Sequence, residues 1–151
     1  MKTVLVVEDE PGNMQAFCLL LSLRGYNVLE AATGKEAVEA ANEVNGAIDL
    51  ILCDLKLPDI PGTRLARELV KLQPNAAVLI VSGTPRTSWS ETESNDFGEL
   101  SQKLADFLEK PFLPAALARG ENRTAIEQGI KQTLASVNER TVRTLKSSPK
   151  V

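Results

Sequence analysis

The sequence predicts a doubly wound α/β sandwich: a parallel sheet covered by helices on both faces. Two patterns predict it. Short runs that are apolar throughout alternate with longer segments of helical period, as expected of strands buried on both faces and joined by helical crossovers. The 151 residues are also enough for one core but cramped for two. A composition of 43% hydrophobic and 25% charged residues is that of an ordinary globular chain.

The elements follow in order. Val4-Leu5-Val6-Val7 is a compact strand-type run that stops at Glu8-Asp9-Glu10. Met14, Phe17, Cys18, Leu20 and Leu21 then recur at helical spacing, and Gly25 closes that helix. Tyr26–Ala32 is a second strand. Thr33-Gly34-Lys35-Glu36 fits a capping box and opens a helix that should bury Ala37, Val38, Ala41 and Val44. Ile48–Cys53 is the third run, ending at Asp54. Pro58 and Pro61-Gly62 mark a loop before a helix with Leu65, Leu69 and Leu72 on one face. Ala76–Val81 is the fourth strand and ends at Ser82-Gly83.

Pro85–Glu99 reads as a polar stretch, of which Pro85–Gly98 should be mobile, followed by a short helix around Leu100–Ala105. Phe107-Leu108 is a brief fifth strand before Lys110-Pro111. A last helix is signalled by the capping box Thr124–Glu127 and the stripe Ile126, Ile130, Leu134, Val137, Thr141. Residues 1–140 therefore read as one domain, and 141–151 as a helix end and flexible tail.

Composition excludes several function classes. The chain has no histidine, which removes Ser/His/Asp and Cys/His catalysis and every His-containing metal site. A net charge of −3 argues against direct nucleic-acid binding. Apolar runs of six residues at most predict no membrane insertion. Met1-Lys2-Thr3 leads straight into a strand without a signal-type segment, so a cytoplasmic location is expected. Cys18 and Cys53 sit in apolar runs without metal-type spacing, and Cys53 reads most simply as a small core residue.

In an open parallel sheet, ligands bind outside the carboxyl ends of the strands. Here those ends carry Glu8-Asp9, Asp54, Ser82 and Lys110. Taken singly, an acidic triplet reads best as a solvated turn, and Asp54 as a turn cap. Placed together on one rim, they form a site. Crowded carboxylates repel unless a cation joins them, and oxygen ligands without Cys or His favour Mg²⁺ or Mn²⁺. Asp54 is then a candidate nucleophile toward phosphorus, giving an aspartyl phosphate. Lys110 can pair with a phosphoryl oxygen and Ser82 can hydrogen-bond it.

With these residues in place, the chain resembles the receiver domain of two-component response regulators over residues 3–140. The carrying segments are Val4–Pro11, Asp49–Gly62, Val78–Gly83 and Glu109–Phe112. The resemblance implies a flavodoxin-like five-stranded sheet of order 2-1-3-4-5. It implies phosphorylation of Asp54 by a sensor histidine kinase or phosphotransfer protein. Asp9, Asp54 and the backbone carbonyl of Lys56 would bind Mg²⁺, with Glu8 acting through water. Ser82 and Lys110 would contact the phosphoryl group, Lys110-Pro111 would be a cis peptide, and Phe107 would be the aromatic switch residue. The chain would be a receiver acting through contacts with a downstream protein: a phosphoacceptor that catalyses its own phosphorylation and slow dephosphorylation rather than an enzyme of the usual kind. A homodimer through the long last helix stays open.

Two departures stand beside the match. Ser82 and Lys110 are 28 positions apart, more than is usual for receivers, and the stretch between them is rich in acids and hydroxyls. The runner-up is therefore a pseudo-receiver, the same fold used as an interaction module without phosphorylation. A metal-dependent hydrolase would call for a carboxylate two residues after Asp54, where Lys56 stands. A flavin module would need a Gly/Ser/Thr-rich phosphate loop where Glu8-Asp9-Glu10 stands, and a cobalamin module would use a histidine.

Overall fold

A computed structural model describes residues 1–101 and the backbone of strand 105–109. The elements are β1 (Thr3–Val7), α1 (Pro11–Leu23), β2 (Asn27–Ala31), α2 (Gly34–Glu43), β3 (Leu50–Asp54), α3 (Gly62–Leu72), β4 (Ala77–Ser82), α4 (Glu91–Ser101) and β5 (Ala105–Glu109). A single 3₁₀ turn, Arg86–Ser88, precedes α4. The sheet is five-stranded and parallel, in the order β2-β1-β3-β4-β5. This is the flavodoxin-like topology expected from the sequence.

Side-chain alternation along each strand builds two cores. Leu5, Val7, Ile51, Cys53, Val78 and Ile80 point to one face, where they meet Ala37 and Ala41 of α2, Leu65 and Leu69 of α3, and Phe97 of α4. Val4, Val6, Leu50, Leu52, Leu79 and Val81 point to the other, where α1 contributes Phe17, Leu20 and Leu21. All six residues of β4 are buried, which is why its sequence is apolar without alternation. Each such side chain contributes about 1.5–3 kcal/mol through burial, an upper estimate because unfolded chains are not fully extended.

Local signals explain the element ends. The Glu10 carboxylate accepts from Asn13 N–H at 2.8 Å as the N-cap of α1, and Pro11 occupies its first position. Gly25 follows the helix with φ +85°, the left-handed conformation a glycine adopts without strain. Thr33 Oγ1 accepts from Glu36 N–H at 3.1 Å, and the Glu36 carboxylate reaches back to Ala32 N–H at 2.6 Å. The expected capping box therefore forms, with its return bond one residue earlier.

Three expectations need correction. Pro85–Glu99 is more than a polar stretch: it holds the 3₁₀ turn and most of α4, and Trp89 and Phe97 within it are buried in the core. The helix lies at Glu91–Ser101 rather than around Leu100–Ala105. Two of its four acids, Glu93 and Asp96, are buried, and Asp96 accepts from Arg67 of α3 at 2.8 Å. Leu72 does not share the buried face of Leu65 and Leu69 but is 40% exposed at the helix end, and Ala66 and Val70 complete that face. Lys110-Pro111 and its expected cis bond, the connection after Pro111, the last helix and the tail lie outside the described residues.

Candidate functional site

The strand order reverses beside β1, which sends the chain to β2 on one side and β3 on the other. A crevice at the carboxyl ends of β1 and β3 is the consequence. Glu8 and Asp9 follow β1, and Asp54 ends β3. Their carboxylate oxygens lie within 4.8 Å of one another, and they are the group of three so placed among the described residues. Glu8 is buried, Asp54 half-buried and Asp9 exposed, so the cluster opens to solvent on the Asp9 side.

Backbone donors hold two of the three carboxylates. Glu10 N–H donates to Glu8 Oε1 at 3.2 Å, and Glu8 N–H is fixed on Ala31 of β2 at 3.0 Å. Lys56 N–H donates to Asp54 Oδ1 at 3.2 Å, so the residue two positions on folds back over the strand end. That loop is pinned twice more, by Leu55 N–H to Val81 O at 3.1 Å and Gly62 N–H to Leu55 O at 2.8 Å. Gly62 sits directly against the Asp54–Leu55 backbone, and a Cβ there would meet the Asp54 carbonyl. Ser82 is buried at the end of β4, and its Oγ accepts from Thr84 N–H at 3.0 Å.

The structure thus brings Glu8, Asp9 and Asp54 together and sets Lys56 over them. Ser82 ends the next strand, with Glu109 as its register partner on β5. Phe107 lies on β5 opposite Ile80. Lys110 falls outside the described residues. Cys53, one residue before Asp54, has its thiol pushed up in pKa by burial, with the Asp54 and Glu8 charges adding to the effect. Cys18 is likewise pushed up to about 12, by burial and then by Glu30. Cys53 is a core thiol and Cys18 a half-buried one outside both cores, and the raised pKa makes each a poor nucleophile.

Sequence reading missed three residues around the site. Asn13 is buried on α1 with its amide 3.5 Å from Glu8 Oε1, and its Oδ1 has no partner among the described residues. Glu93 of α4 pairs with the Lys56 ammonium at 3.2 Å while accepting from Ser90 N–H at 2.9 Å. Burial raises the pKa of Glu93, but the Ser90 and Lys56 contacts outweigh it and hold the carboxyl below its usual range. A Ser-x-x-Glu capping box was legible at Ser90–Glu93; the contact with Lys56, 37 positions away, was not. The third is Trp89, whose indole N–H donates to Thr84 O at 2.9 Å.

The family model for the response regulator receiver domain matches residues 4–119. The chain belongs to that family. Curated relatives include the sensor kinase CckA of Brucella abortus, 37% identical over 118 residues, which cover 77% of this chain and 12% of that protein. The chemotaxis protein CheY of Thermotoga maritima is 26% identical over 125 residues, covering 82% of this receiver and 98% of CheY. The chain spans 12% of CckA and 28% of the transcriptional regulatory protein GlrR of Escherichia coli. Among solved structures, a CheY-like receiver domain protein from Methanospirillum hungatei superposes with a TM-score of 0.72 at 27% identity, covering 93% of this chain and 98% of that one. The response regulator TrrA of Thermotoga maritima, solved in complex with Mg²⁺-BeF, gives 0.66 at 25% identity, covering 88% and 99%.

Receivers bind Mg²⁺ at an acidic pocket and interact with histidine kinases and downstream partners. The residues of this receiver fit the metal: three hard carboxylates converge within 4.8 Å at the rim of the sheet, one on the open side. No helix among the described residues is long and apolar enough to cross a membrane.

Proposed function

We propose that this receiver is a phosphoacceptor switch of a two-component system, phosphorylated on Asp54. The observation that carries the reading is the convergence of Glu8, Asp9 and Asp54 at the switch point of the sheet. Asp9, Asp54 and the Lys56 backbone carbonyl are the residues that would hold Mg²⁺, with Glu8 acting through water. When bound, Mg²⁺ supplies positive charge where carboxylate and phosphoryl oxygens meet.

The chain's own residues do the rest. An Asp54 carboxylate oxygen attacks phosphorus and a new O–P bond forms. The donor's bond breaks and its electron pair leaves with the imidazole of a phosphohistidine, or with acetate when acetyl phosphate is the donor. Lys56 N–H, already on Asp54 Oδ1, orients the carboxylate for attack. Ser82 hydrogen-bonds a phosphoryl oxygen and Lys110 pairs with another. Phe107 turns inward as Ser82 moves. Hydrolysis later returns Asp54 and inorganic phosphate, so the protein switches without turning over an external substrate. The partners are a sensor histidine kinase or phosphotransfer protein upstream and a protein contact downstream, in the cytoplasm.

The test is intact mass after incubation with Mg²⁺ and acetyl phosphate, beside Asp54→Asn. A single added phosphoryl group in the wild type alone is the expected result. No addition, together with no Mg²⁺ binding in the same sample, makes the receiver a non-phosphorylated interaction module instead.

A further inference from the structure

The connection between β4 and α4 is tied by directional contacts that begin at Ser82. Thr84 N–H donates to Ser82 Oγ at 3.0 Å, and the carbonyl of the same Thr84 accepts the indole N–H of Trp89 at 2.9 Å. The indole ring then meets Phe97 of α4 edge to face, with centroids 5.5 Å apart and planes at 85°. The Arg86 guanidinium covers both rings, 4.7 Å from the Trp89 centroid and 4.3 Å from that of Phe97. Trp89 is 7% exposed, and Phe97 is 8% exposed.

We propose that Trp89 couples the Ser82 hydroxyl to helix α4, so that engagement of Ser82 by a phosphoryl group repositions the indole and the helix together. The inference rests on the phosphoacceptor reading. Its physical basis is that Thr84 carries both bonds. If Ser82 Oγ turns toward a group on Asp54, the Thr84 N–H follows or releases it, and the Thr84 carbonyl moves with the same residue. A buried indole N–H left without an acceptor is costly, so Trp89 follows that carbonyl. Phe97 and Arg86 pack on the ring, and the movement passes to α4 through contact rather than through distance.

Trp89 is the sole tryptophan of the sequence, so its emission reports on this element alone. The experiment follows Trp emission and intact mass together as the full chain is incubated with Mg²⁺ and acetyl phosphate. Emission is expected to change in step with the mass gain in the wild type. Ser82→Ala removes a phosphoryl contact and should slow mass gain, and whatever mass gain remains is expected without the emission change. Trp89→Phe keeps the apolar body but removes the bond through which the packed ring resists movement of Thr84. Its half-maximal acetyl phosphate concentration is expected to fall by up to roughly five-fold, because that resistance cannot exceed the ~1 kcal/mol at which the hydrogen bond itself would break. Circular dichroism checks that this variant is folded.

Mass gain with unchanged emission in the wild type overturns the coupling and leaves the phosphoacceptor reading intact. So does a full emission change in Ser82→Ala, or an unchanged half-maximal concentration in Trp89→Phe. Absence of any mass gain in the wild type overturns both. If Ser82→Ala gains no mass, the wild-type and Trp89→Phe measurements decide between them.

Discussion

Gly62→Ala tests whether the loop over Asp54 is held by close backbone packing. Gly62 is the first residue of α3, and its φ lies outside the left-handed region, so its backbone conformation suits any residue. On that ground alone alanine would stabilise by roughly 0.4–1 kcal/mol through the unfolded chain. Space reverses the sign. A Cβ at Gly62 would overlap the Asp54 carbonyl oxygen and lie 2.8 Å from the Asp54 carbonyl carbon and 2.9 Å from Leu55 Cα. All three are backbone atoms, and Leu55 N–H is bonded to Val81 O, so nothing flexible can yield. Overpacking typically costs about 1–3 kcal/mol, and a clash with fixed backbone belongs at the top of that range. At ~3 kcal/mol, a chain of this length loses roughly 6–12 °C in Tm. Gly98→Ala is the control: it lies inside α4 with nothing within 4 Å of a built Cβ, and should gain about 0.5–1 kcal/mol in helix propensity. Urea and thermal unfolding followed by circular dichroism read both. A Gly62→Ala protein as stable as the wild type would refute the close-approach argument.

Other outcomes follow from the same site. Asp54→Asn is expected to abolish the single-phosphoryl mass gain; an acid-stable aspartyl-phosphate signal in that variant would show that another residue accepts the group. Mg²⁺ should stabilise the wild type by mass action, by about 2.7 kcal/mol at a hundred times its Kd, and Asp9→Asn should lose most of that gain in calorimetry. Glu93 has a lowered folded-state pKa, so its contribution to stability is present above the unfolded Glu range near about 4.3 and is lost as pH falls through the folded value. The stability difference between wild type and Glu93→Gln should therefore shrink on acidification below that range, and a difference independent of pH would contradict the Lys56 and Ser90 contacts as its source.

The sheet was legible because its strands are buried on both faces. Leu50–Cys53 and Ala77–Val81 have no polar position to blur the pattern, and β1 ends sharply at Glu8. The three carboxylates were legible for the same reason: each follows an apolar run, and parallel topology sends all strand ends to one rim. The edge strands are less clean: β2 has Asn27 and Glu30 exposed, and β5 carries Asp106 and Glu109 in its run. What failed was α4, and the cause is long-range. Glu93 and Asp96 look like solvated acids, but both are buried because Lys56, Arg64 and Arg67 reach them from the loop over Asp54 and from α3. Hydropathy along the chain contains no trace of partners 29 and 37 positions away.

Those same contacts decide how α4 can respond to events at the carboxylates. Asp96 lies between Arg64 at 3.7 Å and Arg67 at 2.8 Å, and Arg67 also holds Glu99 at 2.7 Å, so two turns of α4 are joined to α3. The helix N-terminus is joined to Lys56 through Glu93, and through Trp89 and Thr84 to Ser82. Lys56 follows β3 and Ser82 ends β4, and each is linked to α4 by a different contact: Lys56 to Glu93 in the first turn, and Ser82 through Thr84 to Trp89, which precedes the helix and packs on Phe97. A shift of either residue therefore acts on the N-terminal turn, while the arginines of α3 restrain the middle and far end. That asymmetry favours a pivot of α4 about its α3 contacts over a translation of the whole helix. Protection of backbone amides should accordingly change more at residues 89–93 on phosphorylation than around Asp96–Glu99, where the arginines of α3 oppose the movement that the Trp89 ring passes to Phe97. A uniform change along the helix would show that α3 does not restrain it.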